Sequence, residues 1–135
     1  MSKQFSFETK IYYEDTDAGG VVYYANYLKF LERARTEIIY ELGLTNKKLL
    51  NDYGIIILVK SCNINYKKPA KFEDSLIIIS SIKTVTKTSF IMKQIIKIRN
   101  EITTEAEVHL VAVNKEGKPN KLPKVLEDAF KKNIF

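Results

Sequence analysis

Apolar and polar positions alternate near the start of the chain, with Phe5, Phe7, Thr9, Ile11 and Tyr13 set against Ser6, Glu8 and Lys10. A period of two predicts a half-buried strand over residues 5–13. From about Tyr23 the period becomes helical: Tyr27, Leu31, Ala34, Ile38 and Leu42 form one apolar stripe, widened by Leu28 and Ile39. Gly43 suits a left-handed stop for that helix, of about five turns. Thr45 is a capping residue for a second, shorter helix carrying Leu49, Leu50 and Tyr53 and ended by Gly54. Four β-branched stretches follow, at residues 55–66, 76–85, 89–99 and 103–114, and residues 122–130 predict a terminal helix.

The separators give the order of the strands. Residues 67–74 contain Pro69 and are long enough to cross between strands, whereas residues 86–88 and 100–102 are hairpin-sized. The last three strands therefore form an antiparallel meander. One strand, a long helix and four strands imply an α+β architecture in which a curved antiparallel sheet of five to six strands wraps one central helix. Such a sheet leaves edges to protect, and a homodimer is the expected solution. A tetramer built as a dimer of dimers is the larger alternative.

Residues 1–135 are expected to make a single domain, since this length and 45% apolar content suffice for one core and leave no room for a second. No apolar run approaches the length of a membrane span and no leader pattern is evident, so a protein made and kept in the cytoplasm is expected. One cysteine, Cys62, and one histidine, His109, supply neither a disulfide nor a soft-ligand metal site, and both fit ordinary strand positions. A net charge of +6 favours anionic partners. The lysines are dispersed and no nucleic-acid-binding motif is present, which argues against nucleic acid.

The chemistry concentrates in residues 13–27, Tyr-Glu-Asp-Thr-Asp-Ala-Gly-Gly-Val-Val-Tyr-Tyr-Ala-Asn-Tyr. A carboxylate on a tight turn, glycines that admit close backbone approach, and a helix start with free N–H groups come together there. Glu14-Asp15-Thr16-Asp17, then Gly20-Val21-Val22-Tyr23, Asn26-Tyr27 and Glu32-Arg33-Ala34-Arg35 resemble the hotdog thioesterases. The likeness is to the branch holding 4-hydroxybenzoyl-CoA thioesterase and the YbgC acyl-CoA thioesterases, and it spans nearly the whole chain.

The resemblance implies a hotdog fold and an acyl-CoA substrate, with Asp17 as nucleophile or general base and the Tyr24 backbone N–H as donor to the thioester carbonyl. Many YbgC-like proteins carry histidine where Tyr24 stands, a departure that a backbone donor survives. Gly20, Val22 and Tyr23 are expected to line the substrate. Lys87, Thr88 and Ser89 are candidates for the CoA phosphates, as are Lys67, Lys68 and Lys71 around Pro69. Asp15 is expected to brace the turn. Glu32 lies about 12 Å of helix beyond Tyr24, too far to share its carbonyl, and is expected to pair with Arg35. No metal or cofactor is needed, coenzyme A being part of the substrate. Acyl carrier protein is the alternative carrier, a non-enzymatic acyl-CoA-binding protein is the alternative class, and some site groups are expected from a neighbouring subunit.

Overall fold

The computed structural model describes residues 4–134. Strand β1 (Phe5–Lys10) leads to helix α1 (Tyr24–Glu41) and helix α2 (Asn46–Tyr53). Strands β2 (Ile56–Tyr66), β3 (Ser75–Val85), β4 (Ser89–Ile98) and β5 (Glu101–Val113) follow, then helix α3 (Lys124–Lys132). They form one sheet in the order β1-β3-β4-β5-β2, every pairing antiparallel. The architecture is the α+β hotdog fold, with five strands.

Helix α1 takes its 18 residues from the predicted stripe: Tyr27, Phe30, Leu31, Ala34, Ile38 and Ile39 are buried. At about 1.5 Å per residue it is some 27 Å long, enough to cross the sheet. Against it the sheet presents alternate residues, including Leu76, Ile78, Ile82, Met92, Ile96 and Val108, all within 1% of complete burial. Thr45 accepts a hydrogen bond from the Lys48 amide, and Gly54 closes α2 at φ +68°. The Arg99-Asn100 turn has both residues at positive φ, 51° and 65°, which fits the right-handed twist of a two-residue hairpin.

Three expectations shift. Strand β1 ends at Lys10 rather than Tyr13, because the Asp15 carboxylate takes the Tyr12 amide and turns the chain into a short 3-10 segment. Tyr13 is left 77% exposed and stacks on Phe72. Secondly, α1 is not the sole cover of the sheet. Helix α3 packs on β3, and its fully buried Phe130 meets Phe90 with centroids 4.6 Å apart. Thirdly, α1 packs on the β1 and β3 side, which leaves most of β2 exposed on both faces. Among the described residues no helix is long and apolar enough to cross a membrane.

Candidate active site

Asp17 occupies the tip of a small hairpin that the chain makes before α1. Its amide donates to the Val21 carbonyl, its carbonyl accepts from the Gly20 amide, and Thr16 bridges Val22. Gly20 adopts φ +80°, a left-handed conformation that a side chain would strain. The Gly19 amide donates to Asp17 Oδ1 at 2.8 Å, and a Cβ at Gly19 would lie only 3.3 Å from that oxygen. Asp17 Oδ2 has no hydrogen-bond partner among the described residues. One carboxylate oxygen is therefore fixed and the other is free.

The hairpin is tied to the helix from two sides. The Asp15 carbonyl accepts from the Tyr23 amide at 3.2 Å and from the Asn26 side-chain amide at 2.8 Å. On the other side the Tyr27 hydroxyl accepts from the Ala70 amide at 3.0 Å, the Ala70 carbonyl accepts from the Val22 amide, and Val21 bridges Lys71. These contacts dock the Pro69 loop, the Asp17 hairpin and the first turn of α1 on one another. Asp15, 7% exposed, braces the turn as expected.

Helix α1 begins without a side-chain cap, since its N-cap residue is Tyr23. The Asn26 amide turns back to the Tyr23 carbonyl, while the Tyr24 and Ala25 amides have no acceptor among the described residues. Unpaired donors at a helix N-terminus carry partial positive charge and attract a developing oxyanion.

A cleft of about 410 Å³ opens here, lined by Asp17, Val21, Val22, Tyr23, Tyr24 and Tyr27, and from across the fold by Tyr66, Lys67, Lys68 and Pro69. The structure thus brings Asp17, Val22, Tyr23 and Tyr24 together, with Gly20 in the supporting turn. It does not bring Lys87, Thr88 and Ser89 to this cleft within one chain. Ser89 pairs with Val111 on β5, whereas Tyr66 pairs with Thr104, seven residues away along the same strand, or about 24 Å. Lys67 and Lys68 do reach the cleft, each in a surface ion pair, with Glu105 at 3.3 Å and Glu101 at 2.8 Å.

Sequence reasoning missed Tyr66, and it gave Asn26 and the Tyr27 hydroxyl no role in the site. Asn26 stands in the motif itself and was within reach of sequence, but Tyr66 comes to the cleft only through the register of β2. The expected Glu32–Arg35 pair is replaced by other bonds. Arg35 donates to Gln94 Oε1 at 3.0 Å, Gln94 in turn donates to the Leu31 carbonyl and Ser80, and Glu32 accepts from Thr36. Burial pulls the Arg35 guanidinium below its ordinary value, and the Glu32 charge opposes that shift.

Arg35 also lines a second, mostly apolar cavity of about 160 Å³ between α1 and the sheet, with Ile39, Ile57, Val59, Phe90 and Met92. Cys62 is an exposed strand residue and His109 a half-buried one. Among the described residues no three His, Cys, Asp or Glu side chains gather as a metal-ligand group.

A sheet wrapped on one helix, with a carboxylate turn beside the helix start, defines the class as a hotdog protein. The thioesterase-like superfamily model matches residues 12–130, and the chain belongs to that family, in its YbgC branch. It is 38% identical over 131 residues to the acyl-CoA thioesterase YbgC of Haemophilus influenzae, with 96% of each chain covered. It is also 38% identical over 129 residues to the acyl-CoA thioester hydrolase YbgC of Escherichia coli, covering 94% of this chain and 96% of that one. Among solved structures, a probable thioesterase from Bartonella henselae superposes with a TM-score of 0.85 at 33% identity, over 90% of this chain and all of that one.

Proposed function

We propose that this thioester hydrolase cleaves acyl-CoA to a free acid and CoA, with Asp17 as the reacting carboxylate and the Tyr24 amide as donor to the carbonyl. The observation that carries the reading is the shared cleft, where a carboxylate with one free oxygen stands beside an uncapped helix start. Attack on a thioester places negative charge on the carbonyl oxygen, and a fixed amide stabilises it without reorganising. As nucleophile, Asp17 Oδ2 bonds to the carbonyl carbon, the C–S bond breaks, CoA leaves as thiolate, and water hydrolyses the resulting anhydride. As base, Asp17 takes a proton from water, which attacks instead. Both routes use the same residues and consume only water. The YbgC relatives, named for acyl-CoA, support this substrate over acyl carrier protein, the alternative carrier.

A homodimer through β2 fits this chemistry. β2 is the longer of the two edge strands of the sheet, 11 residues against six in β1, with Ile56, Leu58 and Val59 between 45% and 49% exposed. Antiparallel pairing of β2 with its copy sets the Ile56 end of one chain beside the Tyr66 end of the other. The Lys87–Ser89 hairpin and the Arg35 cavity of one copy then fall at the same end as the Asp17 cleft of the other. That supplies cations for CoA phosphates and an apolar pocket of the size that holds a benzene ring. A cytoplasmic location accords with such a substrate.

The test is thiol release from short, long and aromatic acyl-CoAs by wild type and Asp17→Asn. Turnover should fall at least about 100-fold in the variant, equivalent to about 2.7 kcal/mol of barrier.

A further inference from the structure

The cleft contains a donor that this scheme leaves unused. Tyr66 ends β2 and is 36% exposed where it lines the cleft. Its ring is wedged between two others, 4.9 Å from Tyr24 and 5.0 Å edge-on to Tyr27. With the ring held, the position of the hydroxyl is held too.

That hydroxyl is poorly satisfied. Its one partner among the described residues is the Tyr24 carbonyl, at 3.4 Å, beyond the usual O–H···O range of about 2.5–3.0 Å. The carbonyl belongs to the first residue of α1, so the phenol lies against the same turn that leaves the Tyr24 and Ala25 amides open. The other two rings of the cluster are differently placed: Tyr27, whose hydroxyl accepts from the Ala70 amide, is only 2% exposed, and Tyr24 is 68% exposed. Burial, then the neighbouring Cys62, Tyr27 and Tyr24, push the Tyr66 phenol above its ordinary value, so at neutral pH it keeps its proton and remains a donor.

We propose that Tyr66 is a further catalytic residue, whose hydroxyl donates a hydrogen bond to the thioester carbonyl oxygen as negative charge builds there, alongside the open amides of α1. This rests on the hydrolase reading above. No proton is transferred from Tyr66. The carbonyl oxygen takes up an electron pair as the attacking oxygen bonds to carbon, the hydrogen bond shortens, and it relaxes when the pair returns and the C–S bond breaks. Because the bond is strongest in the transition state, its loss falls on kcat rather than KM.

Tyr66→Phe isolates the hydroxyl, since the ring and both aromatic contacts stay and the exposed position adds no buried gap. Thiol release by Tyr66→Phe, wild type and Asp17→Asn should show a kcat about 10- to 100-fold below wild type for Tyr66→Phe. KM should stay within about 3-fold, and the melting temperature should be unchanged. A merely structural Tyr66 would move the melting temperature and spare kcat. An unchanged kcat, or a loss confined to KM, overturns the role of Tyr66 while leaving Asp17 in place. If wild type releases no thiol from any acyl-CoA, the hydrolase reading falls first and the Tyr66 role falls with it.

Discussion

The Asp17 hairpin is held by its neighbours, and Asn26 is the side chain that reaches back from the helix to do so. Its amide and the Tyr23 backbone share the Asp15 carbonyl, two residues before Asp17. Without that amide the hairpin hangs on a 3.2 Å backbone bond on this side and can tilt from the helix start. Asn26→Ala should lower kcat about 10-fold and leave KM nearly unchanged, while costing about 1 kcal/mol of stability, measured by steady-state thiol release and by denaturant unfolding. A stability loss with full kcat would reduce Asn26 to a structural role. That Asp17 and Tyr24 share one cleft, with Gly20 bonded to Asp17 in the turn, was legible in the sequence because the three lie within eight residues of one another. Tyr66 was not, since its approach to Tyr24 spans 42 positions and depends on how β2 registers on β5.

At the scale of elements, the apolar periods carried most of the fold, because α1, β3, β4 and β5 each bury one face. The misses fell where a side chain competes with the ladder, as when the Asp15 carboxylate captures the Tyr12 amide and ends β1 three residues early. Tyr27 links helix α1 to the Pro69 loop and gives that link a pH signature. Burial is the chief cause raising its phenol above the ordinary 10.0. The unfolded chain therefore loses this proton first, so the contribution of Tyr27 is intact below that value and is lost as pH rises through the folded pKa. Tyr66 and Cys62 are raised as well, so they add to the loss with the same sign. Thermal melts should hold steady to about pH 9 and then fall steeply above about pH 10. Tyr27→Phe should fall less steeply, from a starting stability lower by about 1–3 kcal/mol because the Ala70 amide loses its acceptor.

For the whole molecule, the question is what covers β2. The sequence pointed to an edge needing protection but not to which strand, because strand order rests on contacts between residues far apart in the chain. Leu58, 47% exposed, projects from that edge. Leu58→Lys would place a charge where a β2–β2 pairing covers an apolar side chain, at little cost to the single chain. Sedimentation velocity should find wild type as a dimer and the variant shifted to monomer, with turnover lowered about 10-fold if the partner completes the site. A wild type that sediments as a monomer at full activity would remove the partner from the site. The hydrolase account itself depends on one carboxylate at one helix end, so its most direct test is thiol release by Asp17→Asn against wild type over the same acyl-CoA series. The account predicts loss of at least about 100-fold in turnover with the fold intact, and a variant that keeps wild-type turnover would contradict it.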